Sequence, residues 1–319
     1  MLGLFEEGLK AKWVRLEIQI YMYSPRLLSP VRPAQPQQPM PAFKIAKKCG
    51  SGEFGDVYES TSGQALKIVV NRPNNQDAIR CLNREAVALI RCRQLHIPNV
   101  IGIMEYSDRW VQTLDHQGNV LEIHKDSSAQ NSCRMIAMEM AEGGSLDEIL
   151  KRGPITEKQC KKLALQVLDA LQGLHEKAQI VHRDIKPANI VLSHKEVRLI
   201  DFGLCSDQTN PKTPLGTPYY MAPEVCSASA FQPYTAKVDL WSLGVLLYYA
   251  GVGQLPFEGR LPIDISKRIE QHLSGQILLR FPDNLSAEAV DFISHLLTHE
   301  RVRPDARRAL NHPWLNLCH

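Results

Sequence analysis

The chain has no run of about 18 consecutive apolar residues, so no segment reads as a membrane-spanning helix. It does not open like a targeting sequence either. Glu6 and Glu7 precede any apolar stretch, which fits neither a secretory signal nor a transit peptide. A strong charge imbalance is also missing: net +3 points neither to nucleic acid nor to a membrane surface as a partner. The 8 cysteines, at 49, 81, 92, 133, 160, 205, 226 and 318, include no CxxC spacing and no Cys/His cluster. That argues against zinc and favours reduced thiols, hence a cytoplasmic or nuclear location. No internal repeat is visible. What remains is ordinary for a globular protein: 319 residues, 44% hydrophobic and 22% charged, enough for one large domain or two lobes.

Residues 13–23 alternate, with Val14, Leu16, Ile18, Ile20 and Met22 opposite Arg15, Glu17 and Gln19, the period of a strand. From Ser24 to Pro41 prolines recur too often for a helix or central strand, so this stretch reads as a flexible or polyproline-like linker. Residues 1–42 are therefore read as an N-terminal extension, and 43–317 as a folded domain. Strands are expected at about 43–49, 56–61, 64–70, 102–113 and 134–140, with one helix at about 77–92. From Ser145 onward helical patterns dominate, notably Glu157–Lys177 and Asp239–Gly251. A strand-rich part (about 43–140) followed by a helix-rich part (about 141–317) gives an α+β, two-lobed fold.

Three features carry chemistry. In Gly50-Ser51-Gly52-Glu53-Phe54-Gly55-Asp56-Val57 the glycines let a strand–turn–strand backbone approach phosphates and present N–H groups, although a plain turn has the same composition. A strand rather than a helix follows, which excludes a Rossmann fingerprint, and no Gly-Lys-Ser/Thr closes a Walker loop. In Ala65-Leu66-Lys67 the apolar neighbours bury the lysine, and a buried ammonium needs anions. Nucleotide phosphates and a helix carboxylate would supply them, and Glu85 lies 18 residues on in the expected helix. The third feature is an ordered set: His182-Arg183-Asp184-Ile185-Lys186-Pro187-Ala188-Asn189, then Asp201-Phe202-Gly203, then Ala222-Pro223-Glu224.

Together, from Gly50 to Trp314, these segments resemble the eukaryotic-type protein kinase family, serine/threonine class. The resemblance implies transfer of the γ-phosphate of ATP, with Mg²⁺, to serine or threonine hydroxyls of protein substrates. Asp184 would orient the acceptor hydroxyl and take its proton, Lys67 held by Glu85 would position the α- and β-phosphates, and Lys186 would touch the γ-phosphate. Asn189 and Asp201 would be the metal ligands. The nucleotide would lie under Gly50, Ser51, Gly52 and Gly55, between Val57, Ala65 and Val191. Met138 falls at the gatekeeper position, Glu139 and Ala141 at the adenine-bonding backbone, and Ser145 at the ribose.

Several supports are implied as well. Asp239 would brace the catalytic loop, Arg303 would pair with Glu224, and Leu89, His182 and Phe202 would stack as a spine. Arg183 before Asp184 suggests an activation segment ordered by phosphate at Thr213, with Thr209 as the second choice and an upstream kinase as the donor. Thr217 would instead contact Asp184 and Lys186. Ala188 disfavours a strict upstream arginine in the substrate, Pro218 and Met221 suggest an apolar pocket after the acceptor, and Leu204 leans towards serine.

The departures from the family pattern concern control. Cys49 replaces the usual Leu or Ile over the adenine, and Lys47 and Lys48 are expected to lower its thiol pKa and make it reactive. Ser206 stands where a second basic pocket residue often occurs. The stretch from Leu114 to Cys133 is longer than the usual turn and reads as a solvated insertion, with a docking site as the alternative. The rival to an enzyme is a pseudokinase scaffold, which normally lacks Lys67, Asp184 or Asp201; all three are present.

Overall fold

The computed structural model describes residues 42–52, 55–125, 132–207, 217–226 and 234–316. The alternating segment at 13–23, the proline-rich 24–41, the hairpin tip at 53–54, the polar run at 126–131, and Thr209 and Thr213 lie outside the described residues.

Strands β1 (Ala42–Gly52), β2 (Gly55–Ser60) and β3 (Gln64–Val70) are followed by helix α1 (Gln76–Gln94), then β4 (Ile103–Leu114), β5 (Val120–Lys125) and β6 (Cys133–Glu139). The six strands close into an antiparallel barrel in the order β1-β2-β3-β6-β4-β5. Period-two alternation sorts their side chains. On β3, Leu66 and Ile68 point into the barrel with Trp110, Ile123 and Met135. Ala65 and Val69 turn the other way, into the core that α1 shares. Lys67 has the same parity as Ala65 and Val69, which sends its ammonium towards α1. The same alternation on β6 puts Met135 and Ala137 inside the barrel and Ile136 and Met138 on the α1 side.

One expectation changes here. Part of the stretch from 114 to 133 is a strand and not only a solvated insertion: β5 pairs with β4 on one side and with β1 on the other, Phe43 opposite Ile123. Ile123 is fully buried beside Trp110, whose ring lies 5.3 Å from that of Phe43. The polar turn before it forms as its composition dictates, with the Asp115 carboxylate accepting the N–H groups of Gln117 and Asn119 at 2.8 Å each.

The rest is largely helical. Two capping boxes start its first helices: Ser145 with Glu148 for α2 (Leu146–Leu150), and Thr156 with Gln159 for α3 (Glu157–Gln172). The helix expected to run to Lys177 widens into π-type geometry over Gly173–Ala178 and ends at Gln179 in left-handed backbone. Four short strands follow, β7 (Ile180–Val181), β8 (Ile190–Ser193), β9 (Glu196–Leu199) and β10 (Ser206–Asp207), paired as β7 with β10 and β8 with β9. Next come α4 (Pro223–Cys226) and α5 (Lys237–Val252), then α6 (Pro262–Leu273), α7 (Ala287–Leu296), α8 (Ala306–Leu310) and α9 (Pro313–Asn316). Helix α5 is buried on nearly every face, because its sequence is apolar all round rather than striped. It is the central post of the helical part, and it carries Asp239 to the base of the site.

Candidate active site

Strand parity and one helical turn bring three charges together. Lys67 Nζ lies 2.6 Å from Glu85 Oε2 on α1 and 2.9 Å from Asp201 Oδ1. Lys67 and Glu85 are 7% and 1% exposed, so this ammonium lives on protein anions rather than water. Burial alone would lower the Lys67 pKa, but the two carboxylates outweigh it and drive it above the ordinary lysine value. Burial likewise works to raise Asp201, and Lys67 overcomes it, holding the carboxylate below its usual range. Asp201 is therefore ionised at neutral pH.

The segment between β7 and β8 supplies a second carboxylate. Asp184 Oδ2 accepts from Lys186 Nζ and from Asn189 Nδ2, both at 2.7 Å, while Oδ1 accepts the Thr217 hydroxyl at 3.0 Å. Lys186 Nζ also donates to Thr217 Oγ1 at 2.8 Å, so Thr217 meets both residues as the sequence suggested. From below, Asp239 accepts the backbone N–H groups of His182 at 2.9 Å and Arg183 at 2.8 Å, and faces His175 Nε2 at 2.8 Å. Arg183 (φ 69°) and Asp201 (φ 62°) both adopt left-handed backbone, which is uncommon outside glycine. Such strain is of order 1–3 kcal/mol per residue and persists only where the surroundings over-determine it. The contacts to Asp239 and Lys67 provide that determination.

Above these groups the β1–β2 hairpin brings Gly50 opposite Val57, Ser51 opposite Asp56 and Gly52 opposite Gly55. Gly55 has φ +117°, and a Cβ there would sit 2.6 Å from the Ile68 carbonyl oxygen, so no larger residue fits. Val57 pairs across from Lys67, and Ala65 across from Met138, which is buried. Glu139 donates its N–H to the Gly102 carbonyl at 2.9 Å, and Ala141 packs partly buried against the main core. Val191, on β8, forms an isolated bridge with Ser145, whose hydroxyl caps α2. The described residues expected at the nucleotide thus fall on β1 to β3, the end of β6 and the segment after it, and the paired positions Ser145 and Val191.

The spine residues Leu89, His182 and Phe202 are all buried, with the His182 and Phe202 rings 4.6 Å apart. Arg303, fully buried, makes a two-pronged pair with Glu224 at 2.6 and 3.2 Å and lies 5.0 Å over Trp241.

Three findings adjust the sequence reading. Cys49 is exposed, yet its pKa is raised: partial desolvation of the sulfur and the nearby Glu59 outweigh Lys47. The two lysines are engaged elsewhere, Lys47 with Glu59 and Lys48 with Asp56, each at 3.0 Å. Arg183 is engaged too. Nε donates to the Leu204 carbonyl at 2.7 Å, and the Nη atoms to the Cys205 carbonyl at 3.3 Å and the Tyr234 hydroxyl at 3.2 Å. Finally, Arg84 was missed: its Nη1 donates to the Gly203 carbonyl at 2.7 Å. Two arginines therefore hold the three carbonyls that follow Asp201-Phe202, one from α1 and one from the catalytic loop. Only the placement of Arg84 directly before Glu85 could have hinted at this. Ser206 Oγ is buried and without a hydrogen-bond partner among the described residues.

A barrel with a glycine hairpin, a buried Lys–Glu–Asp set and a braced Asp184 over a helical lobe defines the class of two-lobed phosphotransferase domains. The protein kinase domain model matches residues 43–315, and the chain belongs to that family. Members of this family use ATP and Mg²⁺ and act on proteins. The chain is 32% identical over 287 residues to the serine/threonine-protein kinase shk1/pak1 of Schizosaccharomyces pombe, covering 88% of this chain and 39% of that protein. It is 31% identical over 282 residues to calcium/calmodulin-dependent protein kinase type 1B of Rattus norvegicus, covering 86% and 75%. With calcium-dependent protein kinase 5 of Plasmodium berghei the identity is 29% over 281 residues, covering 84% and 44%. The chain thus spans less than half of the first and third of these relatives.

Proposed function

We propose that the domain is a serine/threonine protein kinase that transfers the γ-phosphate of ATP to hydroxyls of protein substrates. One observation carries this reading: Lys67 joins Glu85 and Asp201 while Asp184 is held by Lys186, Asn189 and Thr217. Phosphoryl transfer needs alignment and charge neutralisation more than covalent help, and this arrangement supplies both.

In this reading Asp184 orients the acceptor hydroxyl and accepts its proton, and Lys186 meets the transferred phosphate. Lys67, fixed by Glu85, positions the α- and β-phosphates under the backbone of Gly50, Ser51, Gly52 and Gly55. Val57, Ala65, Met138 and Val191 enclose the adenine, the backbone of Glu139 and Ala141 bonds its edge, and Ser145 meets the ribose. Asn189 and Asp201 form an all-oxygen donor set suited to Mg²⁺, since Asn189 commits its Nδ2 to Asp184 and keeps its amide oxygen as an acceptor. The bound cation supplies neutralisation of phosphate charge. We also propose that an upstream kinase phosphorylates Thr213, with Thr209 as the second site; the added phosphate then competes for Arg183 with Leu204, Cys205 and Tyr234.

Incubating the full chain with Mg²⁺, γ-labelled ATP and a generic protein substrate tests the activity. Phosphoserine or phosphothreonine formed by the natural chain and absent with Asp184→Asn is the expected outcome. Labelling no greater than that of Asp184→Asn makes the domain a pseudokinase scaffold instead.

A further inference from the structure

A concavity of about 860 Å³ lies in the helical part and is lined by none of the residues expected at the nucleotide. One wall is the polar face of α6: Asp264, Lys267, Arg268 and Gln271, spaced i, i+3, i+4 and i+7, line it. The opposite face of the same helix buries Ile265 and Ile269 in the core, which fixes the direction of the charged stripe. Tyr219, Leu255, Ile277 and the 258–260 segment complete the walls, with the Tyr219 hydroxyl donating to the Gly259 carbonyl at 3.4 Å.

The charges in this groove are unbalanced in use. Arg260, Lys267 and Arg268 are exposed, and none forms an ion pair among the described residues. Of the two acids, Asp264 is committed: its carboxylate accepts the Leu261 N–H at 3.0 Å, at the N-terminus of α6 where a negative charge is stabilised. Glu258 and Asp264 together leave the three cations with a net charge of +1, and Asp264 is tied to the helix terminus. Beside the groove stand large aliphatic side chains in water, Leu261 at 60%, Ile263 at 69% and Leu278 at 84% exposed. Cations beside exposed apolar groups fit a segment that is acidic and carries a bulky apolar residue.

Position supplies the occupant. Tyr219 is two residues beyond Thr217, whose hydroxyl touches Asp184 at 3.0 Å. Two residues span at most about 7 Å, so the groove opens within a few residues' reach of the acceptor site. We propose that it docks an acidic segment of the protein substrate, a few residues from the phosphoacceptor, through Arg260, Lys267 and Arg268. The proposal rests on the phosphotransfer reading above and narrows its substrate class.

The test uses the full chain, a fluorescent peptide of alternating Glu and Leu bearing alanine in place of the acceptor, and the same peptide with Gln for Glu. Binding is read by anisotropy, so it does not depend on transfer. The acidic peptide should bind about tenfold more tightly than the neutral one at low salt, with the advantage shrinking as salt rises. R260E/K267E/R268E, all on exposed positions, should abolish the preference while leaving kcat on a short neutral serine peptide unchanged. With acceptor-bearing peptides, the acidic segment should lower KM and not raise kcat. Equal affinity for the two peptides, or a preference that survives the triple substitution, overturns the proposal. So does a dimer in sedimentation that the triple substitution dissolves without changing peptide binding, since the face then belongs to a second copy. Failure of transfer with intact acidic-peptide binding would strike the phosphotransfer reading alone.

Discussion

Asp239→Asn removes one charge beneath the catalytic loop at nearly constant volume. Asp239 is fully buried; one carboxylate oxygen serves His182 N–H and His175, the other Arg183 N–H. Asparagine keeps one oxygen. With that oxygen towards His182 and His175, its NH₂ faces the Arg183 N–H, donor against donor, in a site closed to water. A buried donor stripped of its partner costs about 1–3 kcal/mol, and the lost acceptor here was ionised, so about 3 kcal/mol of stability is expected to go. At the entropy of unfolding of a domain this size, Tm falls by about 5 °C. The displaced backbone belongs to the two residues before Asp184, and misplacing a reacting group by about 1 Å can cost about a hundredfold in kcat. Scanning calorimetry and steady-state kinetics on both proteins read the two effects. Burial opposes ionisation of Asp239, but His175, His182 and the backbone bond overcome it and depress the pKa. A depressed carboxylate contributes stability that is present above the unfolded value, near 3.9, and lost as pH falls through the folded one. The gap in Tm between natural chain and variant should therefore be constant at neutral pH and narrow in acid. A Tm within about 1 °C with unchanged kcat at pH 7 would refute the reasoning.

Three further outcomes are expected. Arg303→Met leaves the Glu224 carboxylate and the carbonyls of Thr298 and Lys237 without this donor, and breaking such a buried pair costs about 3–5 kcal/mol; calorimetry should show a lower Tm, partly restored by adding Glu224→Gln. Arg84→Met releases the Gly203 carbonyl, and kcat should fall about tenfold or more with KM for protein substrate little changed, because the segment carrying Asp201 is no longer held from α1. Cys49, with its pKa raised, should react with iodoacetamide at pH 7.5 more slowly than an unstructured peptide thiol, by mass spectrometry, and the rate should climb with pH through the alkaline range.

The chemistry was the most legible part of the sequence, because it depends on short segments whose order and spacing are constrained. Lys67 meets Glu85 as expected, and the contacts of Thr217, Asp239 and Arg303 fall where expected, while the Lys67–Asp201 and Asp184–Asn189 contacts came from the structure. Strand β5 was hidden because, among its described side chains, only Ile123 is fully buried, so its alternation is too brief to stand out from a polar insertion. The π-type end of the helix after Gln172 left no trace either, since the apolar period continues through it. Cys49 misled because proximity of lysines in sequence says nothing of the partial desolvation of the sulfur, nor of the acids that engage those lysines across a strand pair. Arg84 illustrates the same limit. An arginine on a helix is ordinarily a solvated charge, and its carbonyl partner is 119 residues away in sequence.

The central claim is that Asp184 performs the transfer step while the Lys67, Glu85 and Asp201 set holds the nucleotide. Measuring Mg·ATP affinity by calorimetry and phosphate transfer to a serine peptide, for the natural chain and Asp184→Asn, separates the two. The account predicts nucleotide affinity within about twofold and transfer reduced by about 10² to 10⁴. Transfer by Asp184→Asn at the natural rate, or a natural chain that binds Mg·ATP and transfers nothing, would contradict it.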